Sequence, residues 1–106
     1  MVEGKEIIEI IEVIKKAIPA ERIYLFGSYA YGTPDENSDY DMYVVIPDGS
    51  LRPIDAIQCI YRSMRGMRRK SVDILAGTAE TFERRSKLRT LERTIAEEGV
   101  LLYSKL

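Results

Sequence analysis

Arg22-Ile23-Tyr24-Leu25-Phe26-Gly27-Ser28, then ten residues, then Asp39-Tyr40-Asp41-Met42-Tyr43-Val44-Val45-Ile46 is the stretch that decides the fold. The first run is β-branched and aromatic and stops at a glycine, which predicts a buried strand over 22–26. Ser28 is a favourable helix N-cap, so Tyr29-Ala30-Tyr31 predicts one short helical turn closed by Gly32. Thr33 to Ser38 has loop chemistry, and 39–46 predicts a second strand ended by Pro47-Asp48-Gly49.

Outward from this stretch, helices and strands alternate. Ile7, Ile10, Ile11, Ile14 and Ile18 fall at helical spacing over 5–18, with Glu12 and Lys16 as an i,i+4 pair and Pro19 as the stop. Pro53 predicts the first turn of a helix carrying Ile54, Ile57, Ile60, Tyr61 and Met64 and reaching about Arg69. Ser71–Ala76 predicts a third strand. Residues 79–98 predict helix interrupted near Ser86, and 100–103 a last short strand after Gly99. The expectation is an α/β, two-layer α+β arrangement: a mixed sheet of three to four strands covered by helices.

Bulk properties bound the function. The 106 residues suit one domain spanning 1–106, and a chain of this size hides about two-thirds of its unfolded surface. A deep substrate cleft would need a partner's surface to complete it. With 45% hydrophobic and 31% charged residues the composition is globular. No apolar run approaches the ~20 residues of a membrane span, and the charged N-terminus is unlike a secretory signal. The lone Cys59 excludes an internal disulfide framework and fits a reducing cytoplasm, so a cytoplasmic location is expected. With no His, zinc sites and His-based triads fall away.

Chemistry is left to carboxylates, hydroxyls, Lys, Arg or a hard metal. On a strand Asp39 and Asp41 point the same way, with Cα atoms roughly 6.5–7 Å apart, while Tyr40 and Met42 point to the core. Asp73 lies at the entry to another strand between apolar Val72 and Ile74, where burial is expensive without a cation. If the two strands are neighbours, the three carboxylates converge on an oxygen-rich site suited to Mg²⁺. Spacing alone leaves a second reading open, in which Asp39 caps the loop, Asp41 is solvated and Asp73 pairs with Arg69 or Lys70. Gly27-Ser28 favours the first, because glycine admits a phosphate to the backbone and the following N–H groups attract anions.

Leu25-Phe26-Gly27-Ser28, ten residues, and Asp39-Tyr40-Asp41 together resemble the signature of the polymerase β-like nucleotidyltransferase superfamily, and Ser38 completes its Ser-Asp-x-Asp form. Size, Ser71-Val72-Asp73-Ile74-Leu75 and the closing Glu97 to Tyr103 make the chain similar to the minimal nucleotidyltransferases, over nearly its whole length. The resemblance implies the nucleotidyltransferase fold and transfer of AMP from ATP to a hydroxyl. It implies that Gly27 and Ser28 bind the nucleotide's terminal phosphates and that Asp39, Asp41 and Asp73 are catalytic metal ligands, with two Mg²⁺ ions and Asp73 helping to deprotonate the acceptor. It further implies an all-helical HEPN-type toxin as partner, with this chain as the antitoxin that adenylylates a toxin tyrosine, in a homo- or hetero-oligomer. One position departs from the pattern: many relatives carry Arg where this chain has Tyr31, which touches nucleotide affinity or activity.

Three functional classes follow: a protein adenylyltransferase, a small-molecule (aminoglycoside-like) nucleotidyltransferase, and a non-catalytic stoichiometric inhibitor. The absence of an enclosing second domain weighs against the second, and the three Asp against the third. Arg62, Arg65, Arg68, Arg69 and Lys70 are read as a helix C-terminus complementing its dipole, or as a contact for an acidic partner or RNA. With net charge −1 no dedicated nucleic-acid binding is expected. Tyr29 and Tyr31 are candidates to stack on a base. Cys59, Met64 and Met67 are read as packing.

Overall fold

The computed structural model describes residues 4–35 and 37–105. In chain order the elements are α1 (Gly4–Ala17), β1 (Arg22–Phe26), α2 (Ser28–Tyr31), β2 (Tyr40–Ile46), α3 (Pro53–Ser63), β3 (Val72–Thr78), α4 (Ala79–Arg85), α5 (Leu91–Glu98) and β4 (Val100–Ser104). The strands form one mixed sheet in the order β3-β2-β1-β4. β1 runs antiparallel to both β2 and β4, and β2 pairs with β3 in parallel through the α3 crossover.

Alternation along the strands sorts side chains to two faces. Ile23, Leu25, Tyr40, Met42, Val44, Ile46, Val72 and Ile74 are buried against Ile7, Ile10 and Ile14 of α1 and Ala56 and Ile60 of α3. The opposite face is smaller: Tyr24, Tyr43 and Val45 pack on Phe82 of α4 and Ile95 of α5. Burial falls off towards the end where β1 finishes and β2 and β3 begin: Phe26 and Asp41 are only partly buried and Asp73 is exposed, so that end of the face is open.

Local chemistry explains most boundaries. Ile7, Ile10, Ile14 and the following Ile18 are buried along one stripe of α1, and Glu12 pairs with Lys15, not Lys16. Pro53 occupies the first turn of α3. The break expected near Ser86 separates α4 from α5, and Thr78 and Thr90 cap the two, each accepting a backbone N–H at 3.2 Å. α3 ends at Ser63, earlier than its apolar spacing suggested. Met64 is buried, Gly66 turns the chain at φ +83°, and Met67 packs against the core, so packing of the two methionines replaces another helical turn. β3 is an edge strand, and Tyr61 of α3 closes part of that edge: its hydroxyl accepts the Ile74 N–H at 2.8 Å and donates to the Val72 carbonyl at 3.2 Å.

Candidate active site

β1 delivers the chain to the open end of the sheet, where Phe26 sits opposite Asp41 of β2. Gly27 follows at φ +75°, ψ −157°, a region only glycine occupies without strain. A Cβ there would collide with the Asp41 carboxyl group, so the glycine is fixed by conformation and by the acid it touches. Gly27 itself is the N-cap of α2, which corrects the expectation that Ser28 caps the turn. Ser28 is the first helical residue, and its hydroxyl has no hydrogen-bond partner among the described residues. Ala30 and Tyr31 N–H groups bond the Gly27 carbonyl at 3.0 and 3.1 Å, which leaves the first donors of the turn aimed outward. Gly32 closes the turn in the left-handed conformation, as expected.

The loop that follows is tied locally. Ser38 Oγ accepts the Asp35 N–H at 2.8 Å and the Asp35 carboxylate accepts the Asn37 N–H at 2.8 Å, so Ser38 sets the approach to Asp39. Tyr40 and Met42 are fully buried and Asp41, between them, is half-buried on the opposite face of β2; Asp39 is exposed and immediately precedes the strand, which begins one residue later than expected. In the parallel β2–β3 ladder Asp41 faces Asp73, so the two stand on neighbouring strands at one level. Asp73 alternates outward between buried Val72 and Ile74 and is exposed. The argument that burial makes Asp73 costly is therefore corrected: its position on an edge strand exposes it, and its cost is proximity to a second carboxylate.

The electrostatics follow from that proximity. The Asp41 pKa is raised above the ordinary carboxylate value by burial first, then by the charges of Asp73 and Asp39, and by a hydrogen bond with Asp73. No cationic side chain contributes to that shift. Asp39 acts through its charge alone: among the described residues no three His, Cys, Asp or Glu side chains share one metal position. The donor set still fits a hard divalent cation, because it is all oxygen, all of one charge, and has no counter-ion among the described residues.

Tyr29 is buried with its ring 4.6 Å from that of Tyr40, so it is closed to base stacking, whereas Tyr31 is exposed. A polar node that periodicity gave no hint of lies further down the same face. Tyr43 donates to Glu92 at 3.0 Å, and Arg85 Nε donates to the other Glu92 oxygen at 3.0 Å. Gly77 lacks a Cβ where one would strike the Tyr43 hydroxyl. Burial raises the Glu92 pKa, but a backbone hydrogen bond, Arg85 and Tyr43 outweigh it and the net shift is downward. Burial and Glu92 push the Tyr43 phenol up.

Comparison with known proteins fits this geometry. A protein of Methanocaldococcus jannaschii, provisionally named a protein adenylyltransferase, is 45% identical over 49 residues, which is 41% of this chain and 50% of that protein. The chain thus matches about half the length of that relative. A crystal structure of a provisionally named nucleotidyltransferase from Sulfolobus solfataricus has a TM-score of 0.66 at 23% identity, covering 95% of this chain and 79% of that one. A toxin–antitoxin with AMP-PNP gives 0.55 at 22%, covering 98% and 75%. A mutant of the MntA–HpeT toxin–antitoxin gives 0.58 at 23%, covering 92% and 72%. At these identities the solved structures establish the shared fold. The model of the family described as polymerase beta, nucleotidyltransferase matches residues 8–106, and the chain belongs to that nucleotidyltransferase family.

Proposed function

We propose that the chain transfers AMP from ATP to a hydroxyl, with a tyrosine of a protein partner as acceptor. The observation that carries this is the Asp41–Asp73 pair, level on adjacent strands at the open end of the sheet, against Gly27 and without a cation of its own. The fold of toxin–antitoxin structures and the adenylyltransferase name of the archaeal relative support a toxin as partner and an antitoxin role for this chain, and the resemblance to minimal nucleotidyltransferases makes that toxin the all-helical HEPN type.

In this reading the outward donors of the Gly27–Ser28 turn and the free Ser28 hydroxyl bind the terminal phosphates. Asp41 and Asp73 would hold Mg²⁺ with Asp39 joining them once the ion is bound, and the metal would supply neutralisation of the phosphate oxygens and of the leaving pyrophosphate. Asp73, the more exposed of the facing pair, accepts the proton of the acceptor hydroxyl. The acceptor oxygen forms a bond to the α-phosphorus, the bond to the bridging α–β oxygen breaks, and pyrophosphate leaves with the electron pair. Exposure of Asp73 on an edge strand leaves room for a macromolecular acceptor.

The test uses calorimetry of ATP with Mg²⁺ and transfer of labelled AMP to a HEPN-type toxin offered as partner. The Asp39→Asn/Asp41→Asn double variant should lose metal-dependent ATP binding. Asp73→Asn should keep it and the complex while transfer falls by roughly 10²-fold or more, as for loss of a general base. A wild type that binds and neutralises the partner without labelling it, as well as Asp73→Asn does, makes the chain a stoichiometric inhibitor.

A further inference from the structure

We infer that Arg62 and Arg65 form a docking site for carboxylate side chains of the acceptor protein, beside the edge of β3 that carries Asp73. This rests on the transfer reading above, which sets the direction of approach. Phosphates at Gly27–Ser28 lie at the end of β1, and Asp73 lies two strands away on the sheet's edge. An acceptor reaching Asp73 therefore arrives over β3, from the side opposite the phosphates.

That flank is built from α3 and the connection after it. The Tyr61 hydroxyl bonds the main chain on either side of Asp73, at Val72 and Ile74, which fixes the last turn of α3 against the edge of β3, while the Asp73 carboxylate projects from the other face of that strand. From 61 to 72 the chain holds five bases and no acid. Buried Met64 and partly buried Met67 hold the connection down, so Arg62, Arg65 and Arg68 come round on its exposed side. Because α3 ends at Ser63, its dipole accounts for Arg62 alone among these cations. Arg69 is turned inward, donating to the Lys70 carbonyl at 2.9 Å.

Among the described residues no carboxylate ion-pairs with Arg62, Arg65 or Arg68. The three are not equal. Arg68 lines a mixed depression with Lys5, Lys70, Glu6 and Glu9. Arg62 and Arg65, with Gln58 and Tyr61, line a separate depression of about 350 Å³ that has no acid in its lining. Two guanidinium forks and an amide are donors matched to carboxylate oxygens. Phosphate is bound by the same donors, but a continuous polyanion on this flank would run into the repulsion of Asp39, Asp41 and Asp73, whereas a short acidic segment flanking a neutral acceptor would not.

The experiment uses three probes: a tyrosine peptide flanked by glutamates, the same peptide with serines in their place, and an oligouridine of similar length. Binding is read by fluorescence anisotropy and transfer by labelled ATP with Mg²⁺. The glutamate peptide should bind about tenfold tighter than the serine peptide, and Arg62→Glu/Arg65→Glu should abolish the difference. Arg62→Gln/Arg65→Gln should weaken glutamate-peptide binding to the serine-peptide level while ATP binding stays unchanged. Equal binding of the two peptides, or binding of oligouridine alone, overturns the docking site. Selective binding of the glutamate peptide without AMP transfer keeps the docking site and removes the transfer reading; equal transfer to both peptides does the reverse.

Discussion

Glu92 and Asp41 lie over the same face of one sheet, and their pKa values move in opposite directions. Glu92 is the more buried, yet it is held ionised, because Arg85 and the Tyr43 hydroxyl each occupy one of its oxygens at 3.0 Å. Asp41 is half-buried and is pushed towards its protonated form, because its charged neighbours are Asp73 and Asp39. Burial alone does not separate a structural acid from one prepared for a ligand. What separates them is whether the chain supplies the opposite charge. At Glu92 it does, and the node pins α4 and α5 to the sheet. At Asp41 it does not, and the helical cover ends before reaching it.

The largest effect is expected from Gly27→Ala, which forces a side chain into the Asp41 end. The conformation at φ +75°, ψ −157° strains any other residue, and the added Cβ meets the Asp41 carboxyl group. We expect a loss of about 3 kcal/mol in chemical denaturation, from strain and the collision together. Metal-dependent ATP binding should go with it. A variant with parental stability would show that the turn relaxes freely and that Asp41 is not held by it.

Next in size is Glu92→Gln, which keeps the shape and removes the charge. The Arg85 guanidinium then loses its counter-ion, and we expect a cost of about 2 kcal/mol, typical of a buried hydrogen bond to a charged group. The sign with pH is fixed by the depressed pKa. Glu92 binds its proton less tightly folded than unfolded, so its stabilisation is complete above the ordinary value of 4.5 and fades as pH falls below it towards the folded pKa. Thermal melts of the wild type should show that acid loss, and those of Glu92→Gln should show less of it. Equal acid slopes would remove Glu92 from the account.

The two acids were unequally legible in the sequence. Asp39 and Asp41 announce themselves, because period-two alternation beside buried Tyr40 and Met42 puts both on one side, and Gly27-Ser28 marks the turn they face. Pairing of Asp41 with Asp73 needed the parallel β2–β3 ladder, which the helix between the strands made available but did not dictate. Glu92 carries no local signal. On an amphipathic helix it looks like any solvated acid, and its partner Tyr43 is 49 positions away. Ser28 was misread as a cap because serine is favoured there, while the strained Gly27 conformation moved the helix start by one residue. The apolar spacing through Met64 extends α3 too far, because Met64 is buried by packing after the helix has ended, and Gly66 is the visible stop.

The smallest effect is expected at Asp41 itself, where neutralising the acid should have the opposite sign to the same change at Glu92. Asp41→Asn removes one of two facing charges and keeps the side chain's volume. Without divalent metal it should stabilise the fold, since the Asp41 carboxylate meets repulsion from Asp73 and Asp39 and no cation. Solvent screens a half-buried group, so the gain is held to about 0.5 kcal/mol. Addition of Mg²⁺ should raise the melting temperature of the wild type and leave that of Asp41→Asn nearly unmoved, so the order of the two reverses as metal is titrated. Glu92→Gln and Asp41→Asn are each an amide of the parent's own size, so the opposite signs report charge and not volume. If Asp41→Asn melts below the wild type in metal-free buffer, the carboxylate is already compensated within the chain, and the open end of the sheet is a structural site like the closed one.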